Sequence, residues 1–127
     1  MPRRSADVNV MVRAAERAGR ALIRDFGEVD QLQVSQKGPS DFVSAADLKA
    51  EKIVKEELKK GRPEFGFLME ESGRIGGSDK SHVWIVDPLD GTTNFLHGLP
   101  HFCVSIALSR DDEIIAGVVF DPIKDEV

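Results

Sequence analysis

The sequence contains a single cysteine, Cys103, among its 127 residues. One cysteine excludes an intrachain disulfide and a thiol-rich zinc site. Long hydrophobic runs are also lacking. The apolar stretch from Val8 to Val12 is interrupted by Asn9 and is followed by Arg13, so it is too weak for a signal peptide. No later stretch approaches the length of a membrane span. These absences favour a soluble cytoplasmic protein without a membrane partner.

Basic residues are not in excess either. Lys and Arg number 17 against 22 Asp and Glu, which gives a net charge of −5. This balance argues against a general nucleic-acid-binding protein, whereas a metal cation is a suitable partner. Hydrophobic residues make up 41% and charged residues 31%, an ordinary globular mixture. The length predicts one domain over residues 1–127.

Apolar residues recur at helical spacing between Val8 and Phe26, with arginines on the opposite side. Ser5 is a suitable N-cap, Asp7 suits the first turn, and Gly27 suits the end. The pattern predicts an amphipathic helix. Because the whole chain is acidic, its basic side is interpreted as solvated surface and not as a nucleic-acid site.

A second helix is predicted from end signals. Ser44 stands three residues before Asp47, an acidic variant of the capping box, and Val43 can pack on Leu48 as a hydrophobic staple. Gly61 is a candidate left-handed cap, and a proline follows two residues later. The apolar stripe comprises Leu48, Ile53, Val54 and Leu58.

Short apolar runs predict strands in the rest of the chain. They cover residues 31–36, 65–69, 83–86, 103–108 and 114–120. The polar segment 109–113 predicts a hairpin, and the Gly-rich segment 72–81 predicts a loop. Two helices followed by strands indicate an α+β fold, with two N-terminal helices packed on a mainly antiparallel sheet.

Two of these strands end in carboxylates. Glu70 and Glu71 follow residues 65–69, and for this pair alone turn chemistry or helix capping is the favoured interpretation. Asp87 and Asp90 follow residues 83–86 and flank a proline that fixes one backbone dihedral. We expect a stiff turn that directs both aspartates toward one point.

Oxygen ligands of this kind are the ones that Mg²⁺ prefers, and the Leu89 carbonyl can add one more. Gly91 permits close backbone approach, and Thr92 can open a short helix whose free amides bind phosphate. If the two strands are neighbours, Glu70 meets Asp87 and the other aspartate of the turn. Two shared divalent ions would relieve the repulsion and hold both oxygens of a phosphoryl transfer.

The segment Trp84-Ile85-Val86-Asp87-Pro88-Leu89-Asp90-Gly91-Thr92-Thr93-Asn94-Phe95 resembles the signature of the inositol monophosphatase family. The resemblance extends to Lys37, to residues 41–47, to Glu70-Glu71-Ser72 and to residues 104–106. It covers essentially the whole chain. It implies the family's layered α-β-α-β-α sandwich, of which this chain would be the N-terminal half.

The resemblance also implies a metal centre of two or three Mg²⁺ ions. Glu70, Asp87 and the Leu89 carbonyl would bind the first ion. Asp87 would bridge to a second ion, which Asp90 would also bind. A further aspartate of the family lies in the half that this chain does not contain. Met69 stands where the family usually has glycine, which predicts a shifted Glu70 and a weakened first site.

For catalysis, the resemblance assigns Thr92, supported by Asp47, to position or activate the attacking water, with Glu70 as a further catalytic residue. The Gly91 and Thr92 amides would hold phosphate oxygens, and Glu71 would be an accessory carboxylate. The implied substrate contacts are Glu70, Leu89, Asp90, Gly91 and Thr92.

The implied reaction is Mg²⁺-dependent hydrolysis of inositol monophosphate or a related sugar phosphate, with lithium as inhibitor and a homodimer in full-length members. Related phosphatases of fructose bisphosphate or phosphoadenosine nucleotides share the metal-binding loop. A second hypothesis is a catalytically silent fragment that acts through protein contacts, because some bacterial relatives are linked to the transcription machinery.

Four residues carry weaker signals. His97 and His101 have helical metal-pair spacing, but glycine and proline lie between them, which favours loop or packing roles. Cys103 opens an apolar strand and is interpreted as a small buried residue and not as a nucleophile. Lys37 can contact phosphate, although a plain exposed lysine is equally compatible with the sequence.

Overall fold

The structure is a computed structural model that describes residues 5–28, 39–69 and 72–127, with the backbone alone for residues 39–42. Its helices are α1 (Ala6–Phe26), α2 (Pro39–Gly61) and α3 (Thr92–Leu96). Its strands are β1 (Gly66–Met69), β2 (Gly73–Ile75), β3 (His82–Asp90), β4 (Cys103–Arg110) and β5 (Glu113–Phe120). The strand predicted at 31–36 lies outside the described residues.

Helix α1 begins as its sequence predicts. The Ser5 hydroxyl accepts a hydrogen bond from the Val8 amide at 3.1 Å, which satisfies one of the free amides of the first turn. The residues facing the interior are small or aliphatic, and Met11 and Leu22 are fully buried. The amphipathic helix is confirmed, with its start two residues before the predicted one.

Helix α2 begins earlier than predicted. Ser44 is an exposed residue inside the helix, so its predicted role as the N-cap is wrong. Pro39 occupies the first position instead, where a missing amide hydrogen costs nothing and the fixed dihedral suits a helix. Leu48 is also exposed, whereas Val54 and Leu58 of the predicted stripe are fully buried.

Gly61 ends α2, but it is not among the residues with a left-handed backbone, so its predicted capping conformation is wrong. Its importance is steric. A Cβ atom at this position would lie 2.8 Å from both methyl groups of Val10 on α1. The two helices are further joined by an ion pair of 2.7 Å between Arg62, just after α2, and Asp7 in the first turn of α1.

The five strands form one sheet in the order β2-β1-β3-β4-β5. Only the β1–β3 pair is parallel, so the expectation of a mainly antiparallel sheet is confirmed. Strand β2 lies in the segment predicted as a loop, because three residues are too few to show a periodicity. The predicted β4–β5 hairpin is present and turns through Asp111 and Asp112, both with positive φ.

Helices α1 and α2 pack side by side on one face of the sheet. The core between the two layers contains Met11, Leu22, Val54, Leu58, Phe67, Trp84, Ile106 and Leu108. On β5 the residues that alternate with the core positions, such as Ile115 and Val119, are about half exposed. Among the described residues, no helix is long and apolar enough to cross a membrane.

Candidate active site on strand β3

A bulge near the end of β3 brings two carboxylates to one side of the sheet. Asp87 pairs with Ser105 and Asp90 with Cys103, so three steps along β3 match two steps along β4. Residues three apart on a regular strand point to opposite faces. The extra residue removes this alternation, and both aspartates lie opposite same-face residues of β4.

The bulge explains how the sheet accommodates Pro88. A proline cannot donate a ladder hydrogen bond, and bulges are among the few places where a sheet accepts one. The side chains of Pro88 and Leu89 are buried, which anchors the backbone between the two aspartates. The predicted stiff connection is present, but it belongs to a continuous strand and is not a turn that ends the strand.

The side chain of Asp87 is half-buried, and its Oδ1 atom is fully buried with no hydrogen-bond partner among the residues that the structure describes. A buried carboxylate oxygen without a partner costs free energy, since it has lost its water and gained nothing in exchange. A bound cation would satisfy this atom. The orphaned oxygen and the neighbouring carboxylate of Asp90 therefore fit a hard divalent ion such as Mg²⁺.

Gly91 links the bulge to α3 in a backbone conformation that glycine alone adopts readily. Its φ is +99°, and a Cβ atom would lie 2.8 Å from the carbonyl oxygen of His101. The short helix predicted at Thr92 is present, and Thr92 is exposed at its first position. The Asn94 amide donates a hydrogen bond of 2.8 Å to the same His101 carbonyl and so ties α3 to the following loop.

Three aromatic side chains, one of which belongs to α3, pack together and fix the position of this helix. Phe95 of α3 packs edge-on against Phe102, with ring centroids 5.0 Å apart. Phe26 at the end of α1 contacts both, at 5.6 Å from Phe95 and 5.1 Å from Phe102. Aromatic clusters of this kind bury large areas in a defined geometry. The segment after Asp90 is therefore fixed by core packing as well as by its backbone.

Asp90 is exposed and lines a cleft of about 400 Å³ at the end of β3 and β4. The other lining residues are Gly91, Asn94, His101, Phe102, Cys103, Val119 and Asp121. A larger cleft of about 530 Å³ between α1 and α2, lined by arginines and isoleucines, shares no residue with it. Of the two aspartates at the bulge, Asp90 is the one that lines the cleft beside it.

Cys103 lies inside this cleft, where its thiol donates to Asp90 Oδ2 at 3.8 Å. Burial and, secondly, the negative charge of Asp90 raise the pKa of the Cys103 thiol to about 11. The interpretation of this residue as a small buried residue is wrong, since it is only half-buried. The raised pKa agrees with the expectation that it is not a nucleophile, because the thiolate is the reactive form.

Asp121 is a residue of the cleft that the sequence analysis missed. It follows β5 directly, and its carboxylate accepts hydrogen bonds from the backbone amides of Ile123 and Lys124 at 3.1 and 3.0 Å. In the sequence it looks like an ordinary turn residue. No local signal places it near Asp90, because the contact depends on the pairing of β4 with β5.

Asp47 is 5% exposed and lies on α2, which packs against both β3 and α3. Its location near the elements that carry Asp87 and Thr92 agrees with the predicted supporting role, which stays a prediction. His97 and His101 occupy the end of α3 and the following loop and are both exposed. The interpretation of these histidines as loop residues is confirmed.

Several predicted site residues cannot be placed. Glu70, Glu71 and Lys37 lie outside the described residues. Within residues 5–28, 39–69 and 72–127, no three His, Cys, Asp or Glu side chains group in a way that could hold a metal ion. Met69 is described, and its side chain is buried in the core at 3% exposure, so it does not extend toward the side of the sheet that carries Asp87.

Known bacterial proteins resemble this chain over nearly its whole length. An inositol-1-monophosphatase of Rhizobium meliloti is 63% identical over 124 residues, which are 98% of this chain and 47% of that protein. The Nus factor SuhB of Xylella fastidiosa is 45% identical over 120 residues, covering 94% of this chain and 43% of the relative. The chain thus spans about half the length of the curated relatives it matches.

A solved structure gives the same result. The extragenic suppressor protein suhB of Bartonella henselae superposes with a TM-score of 0.85 at 59% identity, over 96% of this chain and 46% of that one. The described sheet and helices therefore have the fold of one part of that protein. The family model described as "Inositol monophosphatase family" matches residues 4–127. The chain belongs to the inositol monophosphatase family.

Proposed function

We propose that this chain contributes the Mg²⁺-binding carboxylates and the phosphate-binding turn of a phosphomonoesterase that hydrolyses inositol monophosphate or a related sugar phosphate. The observation that carries the proposal is the buried Oδ1 of Asp87, which has no partner within residues 5–28, 39–69 and 72–127 and lies on the same side of the sheet as Asp90. Family membership supports the phosphatase class. The proposal adds three things to family membership: the substrate, the metal and the activity of this chain.

The register of the sheet supports a third ligand. Met69, the last residue of β1, pairs with Val86 in the parallel ladder, and Asp87 is the next residue on β3. If the ladder continued by one residue, Glu70 would stand beside Asp87 on the side of the sheet opposite the core. We therefore assign Glu70, Asp87, Asp90 and the Leu89 carbonyl to the metal, which would polarise the phosphate and favour deprotonation of water.

The remaining roles belong to the chain's own groups. The backbone amides of Gly91 and Thr92 would bind phosphate oxygens, since Gly91 has no side chain to block their approach. The Thr92 hydroxyl would orient the attacking water and pass its proton toward Asp47. Attack of water on phosphorus forms a new P–O bond and breaks the ester P–O bond. The attacking water loses one proton toward Asp47, and the leaving alkoxide takes up one proton from solvent, so the products are inorganic phosphate and the alcohol.

The test is phosphate release from inositol monophosphate with and without Mg²⁺, by the wild-type chain and by Asp90→Asn. Asp112→Asn is the matched control, because it makes the same chemical change in the exposed β4–β5 turn. The proposal predicts Mg²⁺-dependent release that Asp90→Asn abolishes and Asp112→Asn retains. Fructose bisphosphate and phosphoadenosine nucleotide, assayed in parallel, identify the substrate class, and lithium is expected to inhibit the release.

A second candidate is a catalytically silent chain that acts through protein contacts. The observation that favours it is the 45% identity to a relative named Nus factor SuhB, together with a chain of about half that relative's length. This candidate predicts no phosphate release by the wild-type chain at any Mg²⁺ concentration. Release that depends on both Mg²⁺ and Asp90 would exclude it.

A further inference from the structure

Glu51 is a carboxylate in the interior that the proposed mechanism does not use. It lies in the middle of α2 and is 3% exposed. Acidic side chains are almost never buried to this extent unless they are hydrogen-bonded, because the charged form loses its hydration. Glu51 is one helical turn after Asp47, so both acids lie on the buried side of α2. Their burial calls for a functional or structural reason.

The partner of Glu51 is informative. The hydroxyl of Ser72 donates a hydrogen bond to Glu51 Oε1, across 21 positions of sequence. Hydrogen bonds to an ionised carboxylate are about twice as strong as those between neutral groups. Ser72 itself is exposed and stands directly before β2. The contact therefore ties the start of an edge strand to the helix layer.

The same corner of the sheet is fixed at two further points. Met69 at the end of β1 pairs with Gly73 at the start of β2, so three residues connect the two strands and Ser72 is the last of them. Gly73 has a φ of +69°, which sets the direction of the chain at that end. On its other side, Met69 pairs with Val86, the residue that precedes Asp87.

We propose that Glu51 is a positioning residue, which holds the β1–β2 corner through the Ser72 hydroxyl so that this corner is preorganised next to Asp87 for Mg²⁺ binding. The inference rests on the proposed function for its metal, and on described contacts for its geometry. The two glutamates inside the corner lie outside the described residues, whereas Met69 and Ser72 on either side of them are described.

The physical basis is preorganisation. Metal binding costs less free energy when the backbone that carries a ligand is already held in place, because binding then has less to order. Residues that orient ligands typically change metal affinity by 10- to 100-fold when they are lost. Removing the Ser72 hydroxyl should therefore weaken Mg²⁺ binding, although Ser72 does not touch the ion.

The experiment compares the full chain with Ser72→Ala, Ser72→Thr and Glu51→Gln by calorimetric Mg²⁺ titration. Ser72→Ala is expected to weaken Mg²⁺ binding at least tenfold, and Ser72→Thr, which keeps the hydroxyl, should stay within about threefold of the wild type. Glu51→Gln replaces the accepting carboxylate by an amide and is expected to weaken the bond. The double variant Ser72→Ala with Glu51→Gln should bind Mg²⁺ about as weakly as the weaker-binding single variant, because both changes act on one interaction. The control is Ser44→Ala, which removes the hydroxyl of an exposed serine on α2, the helix that also carries Glu51.

Amide hydrogen exchange in Mg²⁺-free buffer gives the second measurement. The inference predicts faster exchange over residues 66–75 in Ser72→Ala than in the wild type, with no change in Ser72→Thr. Unchanged exchange would refute the tether itself. Wild-type Mg²⁺ binding that Ser72→Ala and Glu51→Gln leave intact would refute the positioning role. A wild-type chain that binds no Mg²⁺ would refute the proposed function and the metal part of this inference, and only the exchange result would still support the tether.

Discussion

The buried oxygen of Asp87 predicts that Mg²⁺ inverts the relative stability of two nearly identical proteins. Asp87→Asn keeps the shape of the side chain and removes its charge. In the wild type without metal, an Oδ1 atom with no partner in the described part of the chain costs about 1–3 kcal/mol. The variant relieves part of this cost, since a neutral amide is easier to bury than a carboxylate. Without Mg²⁺ we expect the variant to be as stable as the wild type or up to about 1 kcal/mol more stable.

Mg²⁺ should reverse this order. At a concentration 100 times its dissociation constant, a ligand that binds only the folded state stabilises it by about 2.7 kcal/mol. For a chain of 127 residues, the entropy of unfolding converts this free energy into a rise of about 10 °C in Tm. The wild type should show this rise, and Asp87→Asn should show little of it, because its metal ligand is gone.

Thermal unfolding followed by circular dichroism, with and without Mg²⁺, measures both effects. Sodium chloride at equal ionic strength controls for screening, and Asp112→Asn controls for the loss of one negative charge. The reasoning is refuted if Asp87→Asn is at least about 1 kcal/mol less stable than the wild type without metal, since Asp87 would then have a structural partner. It is equally refuted if Mg²⁺ raises the Tm of both proteins by the same amount.

Three further predictions concern local structure. In urea unfolding, Gly91→Ala should lower the free energy of unfolding by about 3 kcal/mol, and Gly73→Ala should lower it by only about 1 kcal/mol. Both glycines have a positive φ, but only at Gly91 would the new Cβ atom lie 2.8 Å from a backbone oxygen. Hydrogen bonds from Ser81 lower the pKa of Asp79 to about 2 from 3.8, so this carboxylate stabilises the fold fully above pH 3.8. The stability difference between wild type and Asp79→Asn should therefore vanish as the pH falls through about 2. Asp112→Gly should raise stability by about 0.5 kcal/mol, since φ is +67° at this turn position.

Each of the three has an outcome that would contradict it. Equal losses in Gly91→Ala and Gly73→Ala would show that the loop after α3 moves away freely. A stability difference between wild type and Asp79→Asn that persists below the pH at which this carboxylate is protonated would assign the effect to shape and not to charge. A less stable Asp112→Gly would mean that the aspartate makes a contact that outweighs its backbone strain.

The helices show how far local signals extend. For α1 the cap, the acidic first turn and the apolar periodicity agree, and the predicted bounds match the structure closely at both ends. For α2 a plausible capping box at Ser44 indicated the wrong start, because a serine followed by an aspartate is also acceptable inside a helix. The identity of a cap depends on where the chain enters the helix, and the preceding segment decides that.

The strands show where local signals end. The segments of β1, β3, β4 and β5 were predictable from apolar runs between turn signals, and the β4–β5 hairpin followed from its polar turn. Strand β2 has three residues and no periodicity, so only its pairing with β1 makes it a strand. The sequence predicts the adjacency of β1 and β3 only as a condition and does not predict that the pair is parallel, because strand neighbours and their direction are chosen by the whole sheet.

Some residues of the candidate site were predictable from the sequence, and others are brought there only by the tertiary structure. Asp87, Asp90, Gly91 and the short helix at Thr92 are contiguous, and their residue types alone predict a rigid acidic turn next to free amides. Cys103 and Asp121 join the same cleft only through the pairing of β4 with its neighbours, so neither could be recognised as part of it from the sequence.

By itself, the sequence determined the helical periodicity of α1 and α2, the positions of most strands, and the order of oxygen ligands and glycine around residue 90. These properties depend on side chains within a few positions of one another, so they can be read locally. The convergence of Asp87 and Asp90 was expected from a stiff turn, but the tertiary structure alone decided that a bulge brings both to one side of the sheet, because a bulge exists only relative to the partner strand β4. It also decided that Glu51 is buried against Ser72, since that contact brings together residues 21 positions apart.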